Sequence, residues 1–248
     1  MFTATAFSSE DVVRDGLVLW LDANDKTSYP GTGTIWRDLS LEGNNGTLIN
    51  GPTFNSGNGG FIRCDGVNDY IEVLDSTSLD FGSGNFTVEY WFRKRVNTSN
   101  FSNIWGINKW NTGASPGTNE WNLAIGNGSN NTGGNTYSFA IQVGTTSYGT
   151  GLSSEVLSLN VWYQLIAIRN GGTLQTYLNG VLKQNVSPSG FSSSSVINNV
   201  GRNLRINNSQ LNNLYTAVDN AVIRVYNKEF TKTDVLQNFN STKSRFRL

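Results

Sequence analysis

The sequence predicts an all-β protein, an antiparallel two-sheet β-sandwich with one short C-terminal helix. Short segments alternate apolar and polar residues with the period of two expected of strands, most clearly at residues 86–92. Turn-forming residues separate these segments, and a convincing helix signal occurs only near residue 232. Charged residues make up 15% of the chain, and much of the rest is Asn, Gly, Ser and Thr, which suits many short strands joined by turns.

The N-terminal third contains a lead-in and several short strands. Residues 1–15 are polar and weakly patterned, which predicts an N-terminal arm. Residues 17–22 carry apolar side chains on both faces, which predicts a strand buried on both faces. A short strand is predicted at 47–49. Two more are predicted within 61–73, on either side of the polar turn at 65–69, so that this segment is expected to form a hairpin with an acidic tip.

Residues 86–92 predict a central core strand. One of its faces is apolar, and the other carries Thr87, Glu89 and Trp91, which predicts a half-buried strand. The alternation fades over residues 93–135, where short strands with long surface loops are expected.

The C-terminal half returns to clear strand patterns. Strands are predicted at 136–143, at 161–169 and around 222–225. Residues 173–184 predict a hairpin in which Asn179-Gly180 forms a type I′ turn, because that turn needs a positive φ at both central positions.

The C-terminus contains the predicted helix. Thr231 and Asp234 have capping-box spacing, which predicts a helix over 232–240. The folded domain is expected to span residues 16–242. Residues 243–248 form a basic tail, for which a solvated ending is favoured and docking onto an acidic neighbour is the alternative.

Charge and cysteine content limit the classes of function. The chain has 18 acidic and 18 basic residues, so no overall field attracts nucleic acid or an anionic membrane. Residues 1–124 carry 14 acids and 8 bases (net −6), whereas residues 125–248 carry 4 acids and 10 bases (net +6). Pairing of early and late strands would bring these halves together, and head-to-tail packing of subunits is the alternative. Cys64 is the only cysteine, so an intrachain disulfide is impossible. The first residues lack the features of a secretory signal, and we expect none.

Seven blocks, taken in order, resemble a laminin-G-like, concanavalin-A-like jelly roll. They are residues 16–22, 36–40, 43–48, 65–70, 86–92, 173–180 and 219–230. The resemblance implies two antiparallel sheets packed face to face, with the first and last strands adjacent. More narrowly, the short arm, the NNGTLINGPTF run and the LQNFNSTKSRF ending resemble laminin-G-like virion proteins of tailed bacteriophages.

The sequence argues against an enzyme. Glycoside hydrolases of this fold place two carboxylates on one strand in a Glu-Xaa-Asp-Xaa-(Xaa)-Glu pattern, and this pattern does not occur here. Glu89 is the only acid in the strongest strand. The chain has no His, which removes Ser-His and Cys-His nucleophile pairs and histidine-based zinc sites.

Two ligand classes stay open. No cofactor is expected to be required, but calcium is a candidate ligand, since the family often holds a metal at one rim and the resemblance would place Asp65 and Asp219 near each other. The alternative is that Asp65 and Asp69 only fix their own turn, which is favoured. For glycans, the candidate stacking residues are Trp105, Trp110 and Trp121, with Tyr137 and Tyr148, although large aromatics in a jelly roll are more often core.

We expect the chain to function by binding other molecules and not by catalysing a reaction. We expect a non-catalytic phage virion protein, a capsid decoration or tail-associated component assembled in the host cytoplasm. Its expected partners are other virion proteins and further copies of itself, with a cell-surface glycan as a possible ligand; nucleic acid and membrane are not expected partners. The alternative is a lectin-like carbohydrate-binding module, and an enzyme of the laminarinase type ranks third.

Overall fold

The computed structural model describes residues 12–96, 105–109, 120–127, 135–197, 200–209 and 214–248. In chain order the strands are β1 (Leu17–Asp22), β2 (Ile35–Trp36), β3 (Gly46–Ile49), β4 (Thr53–Asn55), β5 (Phe61–Asp65), β6 (Tyr70–Val73), β7 (Phe86–Lys94), β8 (Trp105–Lys109), β9 (Glu120–Asn127), β10 (Thr136–Val143), β11 (Thr146–Gly149), β12 (Trp162–Asn170), β13 (Thr173–Leu178), β14 (Val181–Val186), β15 (Leu204–Ile206), β16 (Asn208–Ser209), β17 (Leu214–Tyr215) and β18 (Ala217–Tyr226). One α-helix, α1 (Lys232–Thr242), follows, and short 3-10 turns lie at Gly57–Gly59, Thr77–Leu79 and Lys243–Phe246.

Sixteen of these strands form two antiparallel sheets packed face to face, which confirms the predicted fold class, and β16 and β17 pair separately. The first sheet, sheet A, has the order β14-β13-β12-β7-β18-β5-β4, and β1 also pairs with β18. The second, sheet B, has the order β11-β10-β9-β8-β15-β6-β3-β2. The first and last strands are adjacent, as the resemblance implied.

The space between the sheets is filled by the inward side chains of both. From β7, these are Phe86, Val88, Tyr90 and Phe92, all fully buried. The opposite face of β7 is also buried: Thr87, Glu89 and Trp91 have no exposed surface. The prediction of a half-buried strand is therefore wrong, because the C-terminal residues cover the outer face of sheet A.

Helix α1 begins where the capping box predicted. The Thr231 side chain accepts a hydrogen bond from the Asp234 backbone N–H, and the Asp234 carboxylate accepts one from the Thr231 backbone N–H. The helix packs against the outer face of sheet A, with Val235 in a cluster that includes Val13, Ile166 and Tyr226.

The chain after α1 differs from the solvated tail that the sequence favoured. Residues 243–246 form a 3-10 turn, and Phe246 is buried against Trp91 and Trp162, with ring centroids 4.9 Å and 4.6 Å away. Arg245 forms an ion pair with Asp22 at 2.7 Å. An aromatic residue in the tail and an acid on β1 thus dock it onto the chain's own sandwich. At the other end of the chain, Val12 and Val13 are buried too.

The predicted hairpin within residues 61–73 is also wrong. Both strands exist, but β5 pairs with β4 and β18 in sheet A, whereas β6 pairs with β3 and β15 in sheet B. The polar turn at 65–69 therefore crosses from one sheet to the other. In contrast, the hairpin of β13 and β14 is confirmed, with Asn179 and Gly180 at φ 50° and 76°.

Early and late strands bring the two oppositely charged halves together within one chain. Ion pairs join Arg224 to Glu89, Arg205 to Glu72, Lys228 to Asp15, and Arg63 and Arg93 to Asp219. Acids of the first half and bases of the second half thus pair within one chain, as the favoured interpretation predicted.

Candidate functional site

A row of polar side chains crosses the outer face of sheet B. Five strands contribute one residue each, and each residue is the register partner of the next: Thr47, Glu72, Arg205, Asn108 and Asn122. We call these five residues the polar row. Because neighbouring strands lie about 4.8 Å apart, the row extends roughly 19 Å across the sheet. In the register of the sheet it continues into Ala140 on β10 and Gly149 on β11.

The polar row faces outward because the strands alternate. On β6, Ile71 and Val73 point into the core and Glu72 points away. On β9, Trp121 and Leu123 are buried in the core and Asn122 lies between them. The same alternation that builds the core thus builds the row.

Two half-buried tyrosines lie beside the row, next to Glu72 and Arg205. The rings of Tyr70 and Tyr215 have centroids 6.2 Å apart, and the Arg205 guanidinium lies 5.0 Å from the centroid of Tyr70. We call Tyr70 and Tyr215 the tyrosine pair. Burial raises the pKa of Tyr70, and the nearby charge of Arg205 acts in the opposite direction. Tyr70 therefore stays a neutral ring that can stack on a ligand at neutral pH.

Hydrogen bonds hold the polar groups of the row in place. Arg205 forms an ion pair with Glu72 at 2.9 Å, and its Nη1 donates to Asn208 Oδ1 at 2.9 Å. Asn108 Nδ2 donates to the Asn208 carbonyl at 2.8 Å. The Asn108 Oδ1 atom is buried and accepts no hydrogen bond within the described part of the chain. Asn108 and Asn122 are buried (0% and 7% exposed), so the accessible part of the row is Thr47, Glu72 and Arg205. There the Arg205–Glu72 ion pair presents donors and acceptors in fixed positions.

Of the three tryptophans proposed for glycan stacking, only Trp121 has a described side chain, and its position does not suit stacking. Trp121 is fully buried in the core, where its ring lies 5.5 Å from Phe86, so it cannot stack on a sugar. Trp105 lies opposite Ala124 in the register of β8 and β9, and its side chain is outside the description. Trp110 lies outside the described residues. Of the tyrosines, Tyr137 is fully buried, and Tyr148 packs against Phe191 with a centroid distance of 5.2 Å.

Replacing Trp121 with Ala tests its role as a core residue. We expect the free energy of unfolding to fall by about 3–5 kcal/mol, since the change leaves a large cavity among packed rings. Chemical denaturation followed by fluorescence measures this loss. A variant that keeps the stability of the parent chain but loses glycan binding would restore Trp121 as a binding residue.

The two aspartates proposed for calcium lie on paired strands but do not suit a cation. Asp219 has no exposed side-chain surface and is held by Arg63 at 2.7 Å and Arg93 at 2.6 Å. A calcium ion would have to displace two guanidinium groups. Asp65 is exposed, and its Oδ1 accepts the Val67 backbone N–H at 2.7 Å, a contact that lowers the pKa of Asp65. No group of three or more acidic, Cys or His side chains converges in the described ranges.

We therefore expect a chelator to leave the melting temperature of the chain unchanged. Arginines neutralise the buried carboxylate of Asp219, so its charge needs no metal. Thermal unfolding with and without EDTA, with added calcium as the matched control, measures the effect. A large drop in the presence of EDTA would show that a metal stabilises the fold elsewhere.

Glu89 is held as a structural group. Its Oε1 accepts hydrogen bonds from Trp91 Nε1 and Gln164 Nε2, both at 2.8 Å, and from Arg224 Nη1 at 3.1 Å. Its Oε2 accepts one from Asn238 Nδ2 at 2.7 Å. Glu89 is buried beneath α1 with all these donors, so it has neither access to a substrate nor a free lone pair directed at one.

Sequence reasoning missed the polar row because its members belong to five separate strands. Arg205 stands in the short alternation Leu204-Arg205-Ile206, the only local signal that could have placed it on an outer face. Nothing local indicated that it would lie beside Tyr70. That contact depends on the pairing of β6 with β15, which are 133 residues apart at the Glu72–Arg205 pair.

Comparison with known proteins places the fold in a family. Residues 65–236, more than half of the chain, match a family model described as the concanavalin A-like lectin/glucanases superfamily. No curated protein sequence matches the chain. In the described ranges, no helix has the length and apolar character to cross a membrane.

Solved structures with a similar fold include a domain of an arabinanase and the binding domains of two toxins. One is domain 4 of AbnA, an extracellular arabinanase from Geobacillus stearothermophilus, in complex with arabinotriose, with a TM-score of 0.67 and 13% identity over 92% of this chain and 100% of that one. A second is the binding domain of Paraclostridial Mosquitocidal Protein 1, with a TM-score of 0.66 and 18% identity over 92% of this chain and 52% of that one. A third is the binding domain of botulinum neurotoxin serotype G, with a TM-score of 0.65 and 16% identity over 90% of this chain and 50% of that one. The chain thus spans about half of these toxin domains, and at such identities the likeness shows the fold alone.

Proposed function

We propose that this chain, which belongs to the concanavalin A-like lectin/glucanases superfamily, is a non-catalytic domain that binds an extended saccharide along the polar row. The observation that carries the proposal is the accessible part of the polar row, with the tyrosine pair beside it. Sugars present hydroxyl groups that both donate and accept hydrogen bonds, together with apolar ring faces that stack on aromatics. Thr47, the Arg205–Glu72 pair and the two tyrosine rings complement these features.

The known structures are consistent with this proposal. A domain of the same fold was solved with arabinotriose, and a botulinum neurotoxin DC binding domain was solved in complex with SialylT. A non-catalytic role is supported by Glu89, the acid of the strongest strand, because four donors occupy its two oxygens beneath α1.

A glycan array with the purified chain tests the proposal. We expect binding above background to at least one oligosaccharide class, and calorimetry then gives the affinity for that ligand. Replacing Tyr70 with Ala should weaken the affinity about tenfold, since a stacking ring is lost. Tyr148→Ala is the matched control: this half-buried tyrosine also lies in sheet B, but its ring packs on Phe191. An array without signal, or equal affinities for the two variants and the parent chain, would refute the proposal.

We further propose that the domain is carried on a phage particle, as a capsid decoration or tail-associated protein. The resemblance of its termini to phage virion proteins supports this setting. The placement of the first described residues supports it too. The backbone N–H of Val13 donates to Asn238 Oδ1 of α1 at 2.8 Å, so Val13 and α1 lie together on the outer face of sheet A. Anchoring on that side would leave the outer face of sheet B, which carries the polar row, free to meet a glycan.

Deleting residues 1–11 tests this setting, because it removes most of the arm predicted at residues 1–15 but keeps the buried Val12 and Val13. We expect the variant to unfold at the same temperature and to bind the same glycan, but to be missing from purified particles. Immunoblots of particles assembled with each form measure incorporation. Normal incorporation of the truncated chain would show that the arm is not the anchor.

A further inference from the structure

A second concave feature lies on the other side of the molecule. It is a cleft of about 440 Å³ between β1, the C-terminal end of α1 and the 3-10 turn that follows, and it opens beside Val12. Trp20, Asp22, Arg224 and Arg245 contribute to its walls. We call it the Trp20 cleft. It belongs to the outer face of sheet A, whereas the polar row belongs to the outer face of sheet B.

Two hydrogen-bond donors in the walls of this cleft have no acceptor. They are Trp20 Nε1 and Arg224 Nε, and neither finds a hydrogen-bond partner within the described part of the chain. Trp20 and Arg224 are direct register partners on β1 and β18, and the guanidinium lies 5.2 Å from the Trp20 ring centroid. Arg224 is only 1% exposed. A buried donor without an acceptor destabilises the folded state unless something else supplies the acceptor, so two neighbouring ones indicate a missing group.

The charges of the cleft are already matched. Arg224 Nη1 lies 3.1 Å from the Glu89 carboxylate, and Arg245 Nη1 lies 2.7 Å from Asp22. Asp25 accepts a hydrogen bond from the Thr27 hydroxyl, a contact that lowers the pKa of Asp25. Because each arginine of the wall has its own carboxylate, an anionic ligand would gain little attraction here. An uncharged ligand with oxygen acceptors fits better.

The other groups in the walls suit the hydroxyls of such a ligand. The carboxylates of Asp22 and Asp25 accept hydrogen bonds, and the hydroxyls of Ser241 and Ser244 can donate or accept them. The Trp20 ring is half-buried, and the Arg14 guanidinium lies over it, 4.3 Å from the ring centroid, so a ligand would meet the exposed part of the ring that Arg14 leaves uncovered. Acceptors, donors and an aromatic ring in one cleft are the complement of a polyhydroxylated ring.

We propose that the Trp20 cleft is a second ligand site, which binds one unit of an uncharged saccharide whose oxygens accept hydrogen bonds from Trp20 Nε1 and Arg224 Nε. The ligand class follows from the proposed function, but the site is separate from the polar row. With both sites occupied, one chain would hold two glycan segments on opposite faces of the sandwich, and avidity would exceed the affinity of either site.

An NMR titration of the full chain tests this. The probes are arabinotriose, galactose and N-acetylglucosamine, with acetate as the anionic comparison, and the indole N–H signals report binding. The Trp20 signal is identified by its absence from the Trp20→Phe variant. We expect at least one saccharide to shift that signal. We also expect Trp20→Phe, and Arg224→Lys, which keeps the charge opposite Glu89, to weaken the binding of that saccharide at least tenfold.

Trp162→Phe is the matched control. Its Nε1 already donates to Asn58 Oδ1 at 3.2 Å, and its ring lies on the same face of sheet A. We expect this variant to bind as the parent chain does and to unfold at a lower temperature, because Asn58 loses its donor. Without ligand, Trp20→Phe should unfold at a higher temperature than Trp162→Phe, since it removes a donor that has no partner.

The results separate this proposal from the previous one. Tyr70→Ala should leave the Trp20 titration unchanged while weakening binding at the polar row. If no saccharide shifts the Trp20 signal, if acetate alone does, or if Trp20→Phe binds as tightly as the parent chain, the Trp20 cleft is not a saccharide site, whatever the polar row does. A Trp20→Phe variant less stable than Trp162→Phe would also overturn the proposal, because Nε1 would then have a partner in the free protein.

Discussion

Replacing Glu89 with Ala is expected to lower the free energy of unfolding by about 3–5 kcal/mol. Glu89 has no exposed surface, and the change leaves the Arg224 guanidinium buried without its carboxylate. Trp91, Gln164 and Asn238 lose an acceptor at the same time. Leaving a buried charge unpaired destabilises far more than losing an exposed ion pair does. Urea unfolding of the parent and the variant, followed by tryptophan fluorescence, measures the difference.

Asp15→Ala serves as the control for this experiment. Asp15 also pairs with a cation, Lys228, at 2.7 Å, but its side chain is 83% exposed, so its loss should be close to neutral. The double variant Glu89→Ala with Arg224→Ala should be more stable than the sum of the two single losses predicts, since neither charge is then left alone. Equal stability of Glu89→Ala and Asp15→Ala would contradict the buried network.

Phe246→Ala is expected to destabilise the chain by about 3–5 kcal/mol, although only two residues follow it in the sequence. Its ring is 6% exposed and stacks on Trp91, with an interplanar angle of 22°. It also lies against Trp162 on the outer face of sheet A. Thermal and urea unfolding measure the loss. Leu248→Ala, two residues further and 42% exposed, should change little. A neutral effect of Phe246→Ala would support the solvated tail that the sequence favoured.

The strands and the sandwich could be predicted from the sequence because they depend on local alternation. The period of two at 86–92, the Asn179-Gly180 turn and the capping box at Thr231 each act within a few residues, and each is present. Local alternation could not decide whether the two strands within 61–73 pair with each other. A tight turn has the same sequence features whether its two strands pair with each other or enter opposite sheets. Here the pairing of β5 with β18 and of β6 with β15, both distant in sequence, places them in different sheets.

The sites were harder to predict than the fold for the same reason. Trp121 looked like a loop aromatic, because its segment lacks a clear pattern, yet it is core. Phe246 and Arg245 looked like tail residues, because their partners Trp91 and Asp22 lie more than 150 residues earlier. The polar row combines single residues from five strands, none of which stands out alone.

Strand β18 has a consequence for how the chain is made. It is the last strand, and it pairs with β1, β5 and β7, so that Leu17 meets Tyr226 across the sheet. During synthesis, the early strands therefore leave the ribosome with their central partner still untranslated, and they cannot complete sheet A until residues 217–226 have been added. Such distant pairing is typical of slow folding, and it exposes unpaired edges meanwhile, so we expect the nascent chain to depend on chaperones until β18 has emerged.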